Sequence, residues 1–376
     1  MKQKIFILWA SWNVWRELIK QIIEKDWIEN HINPSIIVWV ANSKNYIFNP
    51  YGIDKEKLKE MSSSREKAVL MLEKFWKKLE KLTNLLELVK KNWLESEVVF
   101  ADVTAWKKEL LEFHKAVILN SQNYLVTANK NPISLYSWED FELLTSYSWR
   151  YNTNTTVMWW AGILDFIDDR ANKIVDKILK IQWVFSWTLA FILSELNLWQ
   201  KSFSQIVKEA KQKWYTEPNP WDDLNWLDVA RKLVILARYS GHKVEIWDVL
   251  VKPLIDEKYW NLKWEEFLEV IKNEDSRFQD LLKQAQKKNE VLSYVWEMFY
   301  DKQRDKLSLE VWLKFVPKNS NLWWLSQTAN LAIVETEILQ DPIPHIIKSR
   351  WAGLAVTAWA VRVWIAKMLP NNISSK

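Results

Sequence analysis

Twenty-eight tryptophans stand against four glycines in this 376-residue chain, a balance that leaves few residues for tight turns, because glycine enters left-handed backbone conformations most freely. The tryptophans occupy places where glycine is expected. In ILWASWNVW, a short apolar strand over residues 5–8 runs into Trp9, Trp12 and Trp15 and then into a helical pattern from Arg16 to Lys25. That three-residue spacing is the spacing of the glycine-rich turn of a dinucleotide-binding βαβ unit, where a missing Cβ lets the backbone approach a pyrophosphate. An indole at any of these positions would fill the phosphate site. We therefore read most of the tryptophan letters as glycine codons decoded with the wrong code, since some bacterial genetic codes read UGA as glycine and others as tryptophan. Together the two residue types fill close to the share that glycine holds alone in an average chain, about 7%, with a few genuine tryptophans left over.

Context agrees. Trp214, Trp226, Trp247 and Trp260 lie in polar, turn-like stretches such as KQKWYTEPNP and EKYWNLKW, where glycine caps and turns belong. The opposing reading is a non-enzymatic protein whose real indoles pack a core or line a carbohydrate-binding or membrane-facing surface.

Charge is untouched by the decoding. Fifty-two basic and 47 acidic residues leave a net +5, with no basic stripe interleaved with aromatics, so nucleic acid is not expected as a partner. KFWKKLEKL and VKKNW alternate Lys with Leu and Glu as solvated helix faces do. No cysteine is present, which excludes disulfides, thiolate metal sites and a cysteine nucleophile, and favours a cytoplasmic location. The opening MKQKIFILWASW resembles a signal peptide superficially, but restored glycines shorten its apolar run to one strand. No 18-residue apolar run exists, so no membrane span is expected.

The pattern along the chain predicts an α/β protein of two domains. Short β-rich runs alternate with helical ones through the first 130 residues: IFIL, IIVWV at 36–40, VVFAD at 98–102, AVIL at 116–119 and YLVT near 125. This reads as a parallel, doubly wound, Rossmann-like sheet. Residues 65–91 read as one inserted or extended helix. From about residue 150 the pattern changes to a helix over 165–179, a strand-like ILKIQWVFS and further helices to 240. We expect a dinucleotide-binding domain over residues 1–150, completed by the small apolar segment 345–376, and an α+β domain over 151–344.

The second strand ends in VWVANSKN, where an NAD-specific enzyme places an acid on the ribose 2′-hydroxyl. Ser43 and Lys44 suit a 2′-phosphate instead, so NADP is expected, with NAD as the alternative. The densest polar cluster is YTEPNPWDDLNWLDVARKLVILAR at 215–238. Pro218 and Pro220 fix an extended entry, and Asp222 or Asp223 can cap a helix. Asp228 and Lys232 are four apart on one helical face. An isolated pair at that spacing would be a surface ion pair, but Glu217, Asp222, Asp223, Asp228, Arg231 and Lys232 crowd within sixteen residues beside an apolar helix.

At this cluster the chain resembles homoserine dehydrogenases. The resemblance spans nearly the whole length: the glycine-turn region, VANS, VTANK at 126–130, WVFSWTLAFIL at 183–193, the YTEP to ARK block and WAGLAVTAWAV near the end. Glycine at 183, 187, 214 and 226 fits the family pattern, whereas Trp138 and Trp221 fall where family glycines are not expected. The resemblance implies Lys232 and Lys130 as catalytic lysines with Asp228 beside them, and Glu217, Asp223, Thr188 and Tyr215 as substrate contacts. It implies a cofactor site of Trp9, Ala10, Ser11, Trp12, Asn13, Val14 and Trp15, with Ser43, Lys44, Thr104, Lys130 and Gly353. The chemistry agrees: moving hydride from a primary alcohol requires the hydroxyl proton to leave, which an amine can accept, and carboxylates at Glu217 and Asp223 suit an α-ammonium group.

The implied reaction is the NAD(P)-dependent interconversion of L-homoserine and L-aspartate 4-semialdehyde, in threonine and methionine biosynthesis. A homodimer is implied, built on the second, substrate-binding and dimerisation domain. The family's GAGLP-like turn reads WWAGIL here, with Leu164 at the proline, so no metal site is assigned. A thioester-forming aspartate-semialdehyde dehydrogenase, which shares a G-x-x-G-x-x-G turn, would need a cysteine. The glycine turn begins at residue 9 and no regulatory segment of some 80 residues follows the last helix, so a monofunctional enzyme is expected.

Overall fold

A parallel sheet followed by an antiparallel one is what the computed structural model of this chain contains, divided between two contact units, residues 1–164 with 352–376, and residues 165–351. It describes residues 3–9, 14–26, 35–75, 77–95, 97–104, 109–157, 162–184, 187–213, 226–259, 262–320, 322, 329–340, 343–350 and 354–368.

In the first unit, β1 (Gln3–Trp9) is followed by α1 (Val14–Gln21), β2 (Ser35–Ala41) and β3 (Asn45–Phe48). Next come α2 (Lys55–Ser63), α3 (Arg65–Phe75), β4 (Lys77–Lys78), α4 (Asn84–Lys91) and β5 (Val98–Val103). The unit continues through α5 (Leu110–Asn120), β6 (Tyr124–Thr127), α6 (Asn131–Ser134), α7 (Trp138–Thr145) and β7 (Tyr151–Asn152). The sheet order is β4-β3-β2-β1-β5-β6-β7. β2, β1, β5, β6 and β7 pair in parallel, and β3 and β4 add an antiparallel edge. β1, β2 and β5 are buried along nearly all of their described side chains, as strands covered on both faces must be. The chain leaves β1 toward β2 on one side and later places β5 on the other, which opens a crevice at the strands' carboxyl ends. The C-terminal helix, Leu354–Met368, packs on α1 within this unit. Gln21 there donates to the carbonyl of Ala355, and Arg362 pairs with Asp26.

Three sequence expectations need correction here. AVIL at 116–119 is not a strand; it ends α5, whose buried Leu110, Leu111, Phe113, His114, Val117 and Ile118 follow a helical period that the β-branched run concealed. The stretch 65–91 is not one helix, because Lys77 and Lys78 pair with Tyr46 and Asn45 at the sheet edge and separate α3 from α4. The helix expected over 165–179 is shorter: α8 (Ile163–Asp168) passes into a π turn, Asp169–Lys173, and a strand starts at Ile178.

The second unit holds β8 (Ile178–Val184), α9 (Trp187–Asn197), α10 (Phe203–Gln212), α11 (Trp226–Tyr239) and β9 (Val249–Val251). It goes on with α12 (Trp264–Val270), α13 (Asp275–Lys287), β10 (Glu290–Asp301), β11 (Lys306–Pro317), β12 (Ala329–Thr336) and β13 (His345–Arg350). Its sheet order is β13-β12-β8-β10-β11-β9, antiparallel except for β9 against β11. α9, α11 and α13 all pack on β10. Among the described residues no helix is long and apolar enough to cross a membrane.

Candidate active site

In the first unit, β1 ends beside β5, with Trp9 opposite Val103, and α1 begins at Val14. The turn between them, Ala10, Ser11, Trp12 and Asn13, lies outside the described residues, as do the side chain of Trp9 and all of Gly353. Val14 and Trp15 differ from expectation. Their side chains belong to the apolar core with Leu18 and Ile19, so the Trp15 indole fills core space instead of the phosphate site. What these two residues offer an anion is the N-terminus of α1, where unpaired backbone N–H groups favour negative charge.

The β2–β3 connection is built by Asn42, whose side-chain oxygen accepts from the N–H of Lys44 at 2.8 Å and of Asn45 at 2.7 Å. This leaves Ser43 and Lys44 exposed. A hydroxyl and an ammonium at the end of the second parallel strand are the donors a ribose 2′-phosphate takes.

At the ends of β5 and β6, Thr104 is buried and its hydroxyl accepts from Asn129 Nδ2 at 3.0 Å. Lys130 is half-buried and caps α6, its carbonyl accepting from the Ser134 hydroxyl at 2.7 Å. Asn129 and Thr127 were not singled out from the sequence, although VTANK contains both. The parallel sheet, the exposed donors after β2, the helix start after β1 and the Thr104 hydroxyl fit a phosphorylated dinucleotide.

In the second unit, Lys232 Nζ and Asp228 Oδ2 are 2.7 Å apart on α11, with side-chain exposures of 12% and 45%. The helical spacing that suggested the pair from sequence therefore produces it. The lysine is the more sheltered partner, and its Nζ lies 5.5 Å from the centroid of the Trp296 ring. Burial pushes the guanidinium of neighbouring Arg231 down, with Asp228 opposing. Thr188 is buried near the start of α9, directly after β8. Tyr215, Glu217 and Asp223 lie outside the described residues. An amine held by a carboxylate at hydrogen-bond distance can take a proton from a bound hydroxyl and return it, which is general acid–base chemistry.

Among the described residues the indoles divide between surface and core: Trp93, Trp149, Trp199, Trp247 and Trp359 are exposed. Trp15, Trp39, Trp183 and Trp296 are among the most buried side chains, and Trp39 is stacked between Phe6 and Tyr46 at 5.0 and 4.3 Å.

Comparison with known proteins bears on residues 163–363, which match the model of the homoserine dehydrogenase family. The chain is 30% identical over 330 residues to the chloroplastic bifunctional aspartokinase/homoserine dehydrogenase of Daucus carota, covering 86% of this chain and 34% of that protein. It is 38% identical over 195 residues to the homoserine dehydrogenase of Schizosaccharomyces pombe, covering 50% of each. It thus spans between a third and a half of the length of these relatives. Among solved structures, a mutant of a hyperthermophilic archaeal homoserine dehydrogenase in complex with NADPH superposes with a TM-score of 0.70 at 22% identity, over 99% of this chain and all of that one.

Proposed function

We propose that this chain, which belongs to the homoserine dehydrogenase family, is a cytoplasmic, NADP-preferring oxidoreductase that interconverts L-homoserine and L-aspartate 4-semialdehyde. The observation that carries the reading is the Lys232–Asp228 pair, 2.7 Å long and sheltered at its lysine end, within the matched region. In the oxidation, a C–H bond of the primary alcohol breaks with its electron pair, the O–H proton goes to a lysine amine, and a carbonyl forms. A bound nicotinamide would supply the acceptor for that hydride, and its donor in the reverse direction. Lys232 receives the proton and, as an ammonium, stabilises negative charge on the oxygen. Asp228 holds the lysine in place and balances the charge the lysine acquires on taking the proton. Lys130 serves as the second lysine, and Thr188, Tyr215, Glu217 and Asp223 hold the substrate. Thr104, Ser43, Lys44 and the residue 9–15 turn hold the dinucleotide.

The same reading includes glycine at most of the tryptophan positions, in support of which Trp93 and Trp199 adopt left-handed backbone conformations, with φ of 55° and 61°. A homodimer through the second unit is supported by apolar side chains exposed on its sheet: Leu250, Phe299 and Ile346. The test is absorbance of the reduced nicotinamide while glycine-decoded protein is titrated with homoserine and each cofactor. Turnover with NADP above NAD is the expected result, and no turnover with either overturns the reading.

A further inference from the structure

The first unit contains a buried polar chain that the proposed reaction does not use. Asp102, next to last in β5, and His114, on α5, are both fully buried. Asp102 Oδ1 accepts from the N–H of Thr104 at 3.0 Å, and Oδ2 accepts from the Thr127 hydroxyl at 2.9 Å. His114 Nε2 stands 3.2 Å from that same Oδ2, and its Nδ1 is 2.9 Å from the hydroxyl of Tyr151 on β7. With Asp102 as a carboxylate, which only accepts, a neutral imidazole carries its proton on Nε2 and accepts at Nδ1 from Tyr151. Donation therefore runs from Tyr151 to His114 to Asp102.

Beyond Asp102 the network continues to the groups expected at the reacting end of the dinucleotide. The Thr127 hydroxyl oxygen accepts from the N–H of Asn129 at 3.0 Å, Asn129 Nδ2 donates to the Thr104 hydroxyl at 3.0 Å, and Asn129 Oδ1 accepts from the N–H of Asn131 at 2.9 Å. Lys130 lies between Asn129 and Asn131, so its backbone is tied on both sides to a network rooted in Asp102. Arg150 holds the outer end: it donates to the carbonyls of Ile118, Ser121 and Asn123, at 2.6, 2.7 and 3.2 Å, which joins the end of α5 to the start of β7. Burying a carboxylate and an imidazole is costly, and well-packed apolar side chains of the same volume are often as stable or more so. Stability alone gives no reason for these groups.

We propose that the Tyr151–His114–Asp102 chain is a positioning device that sets Thr104 and Lys130 for hydride and proton transfer, with Asp102 as its node. The proposal rests on the homoserine dehydrogenase reading. Its test compares Asp102→Asn, His114→Gln and Tyr151→Phe by kcat, by KM for homoserine, by the Kd and emission spectrum of bound NADPH, and by melting temperature.

Asp102→Asn should lower kcat about tenfold to a hundredfold, the scale of a displacement of roughly 1 Å in a catalytic group. His114→Gln should fall less and Tyr151→Phe least, each with altered emission of bound NADPH. KM for homoserine should change less than about twofold, because the proposed substrate contacts belong to other elements. The proposal is overturned by wild-type kcat and emission in Asp102→Asn, or by a fall in kcat and melting temperature with a rise in KM together in all three variants. Tyr151→Phe removes one hydroxyl and keeps the ring, so it reports even if the inner substitutions do not fold. Should the unsubstituted protein turn over no homoserine, the proposed activity fails instead, and NADPH emission still decides the positioning role.

Discussion

Trp93 and Gly241 close their helices through the same two hydrogen bonds. After α4, the N–H of Trp93 donates to the carbonyl of Lys90 and that of Leu94 to Val89, both at 3.1 Å; after α11, Gly241 donates to Arg238 and His242 to Ala237, both at 3.0 Å. This helix-ending motif requires a left-handed residue, for which glycine is preferred and asparagine next. φ is 86° at Gly241, 55° at Asn289 after α13, 55° at Trp93 and 61° at Trp199 after α9. Trp93 is also 91% exposed, so burial does not compensate for the conformation. Peptides of the native protein covering residues 93 and 199 should show glycine masses, and indole masses there would refute the decoding. In protein made as written, Trp93→Gly should be stabilising by about 1–2 kcal/mol, read as a rise in melting temperature of roughly 2–8 °C.

The proton-transfer roles separate by kinetics. Lys232→Ala and Lys130→Ala should each lower kcat by about a hundredfold to ten-thousandfold, with homoserine KM moving much less. Glu217→Ala should act chiefly on KM, because a partner of the substrate's ammonium group helps ground and transition states alike. Near-normal kcat in Lys232→Ala would reduce the Lys232–Asp228 pair to a surface ion pair.

Cofactor choice rests on Ser43 and Lys44. Both are exposed on a turn whose shape is set by Asn42, so their removal leaves the β2–β3 hairpin in place. Losing one charge-assisted contact to a phosphate, about 1.5–3 kcal/mol, should weaken NADP binding roughly tenfold to a hundredfold in Lys44→Ala, with NAD binding unchanged. Equal losses for both cofactors, measured by fluorescence titration, would place Lys44 on the shared part of the dinucleotide.

These tests fall on residues that were legible to very different degrees. The Lys232–Asp228 pair was readable because an i, i+4 spacing on a helix creates the contact by itself. β1, β2, β5 and β6 were readable as apolar runs between turns. The Asp102–His114–Tyr151 chain was not, because its members come from β5, α5 and β7 and meet only through strand order, and because His114 lies in an apolar run, LLEFHKAVIL, that gave no sign of a polar partner. Trp15 misled in the other direction: its place in the glycine spacing suggested a blocked phosphate site, whereas the first turn of α1 directs it into the core.

The last prediction concerns acid. Burial pushes the imidazole of His242 below its ordinary 6.5, Lys177 pushes the same way and Asp305 opposes; the ring lies 4.9 Å from that of Tyr300 and lines a cavity of about 370 Å³ with Lys243, Asp248 and Leu309. His345, stacked on Phe166 at 4.0 Å, is lowered by burial and by Arg170. A histidine lowered in the folded state binds its proton more readily when the chain unfolds. Stability is therefore complete above pH 6.5 and is lost as pH falls from there through the folded-state values, after which the loss levels off. The melting temperature of the protein should decline between pH 7 and 5, and His242→Gln should flatten that decline, with His242→Gln/His345→Gln flattening it further. A slope unchanged in the double variant would assign the acid sensitivity to carboxylates instead.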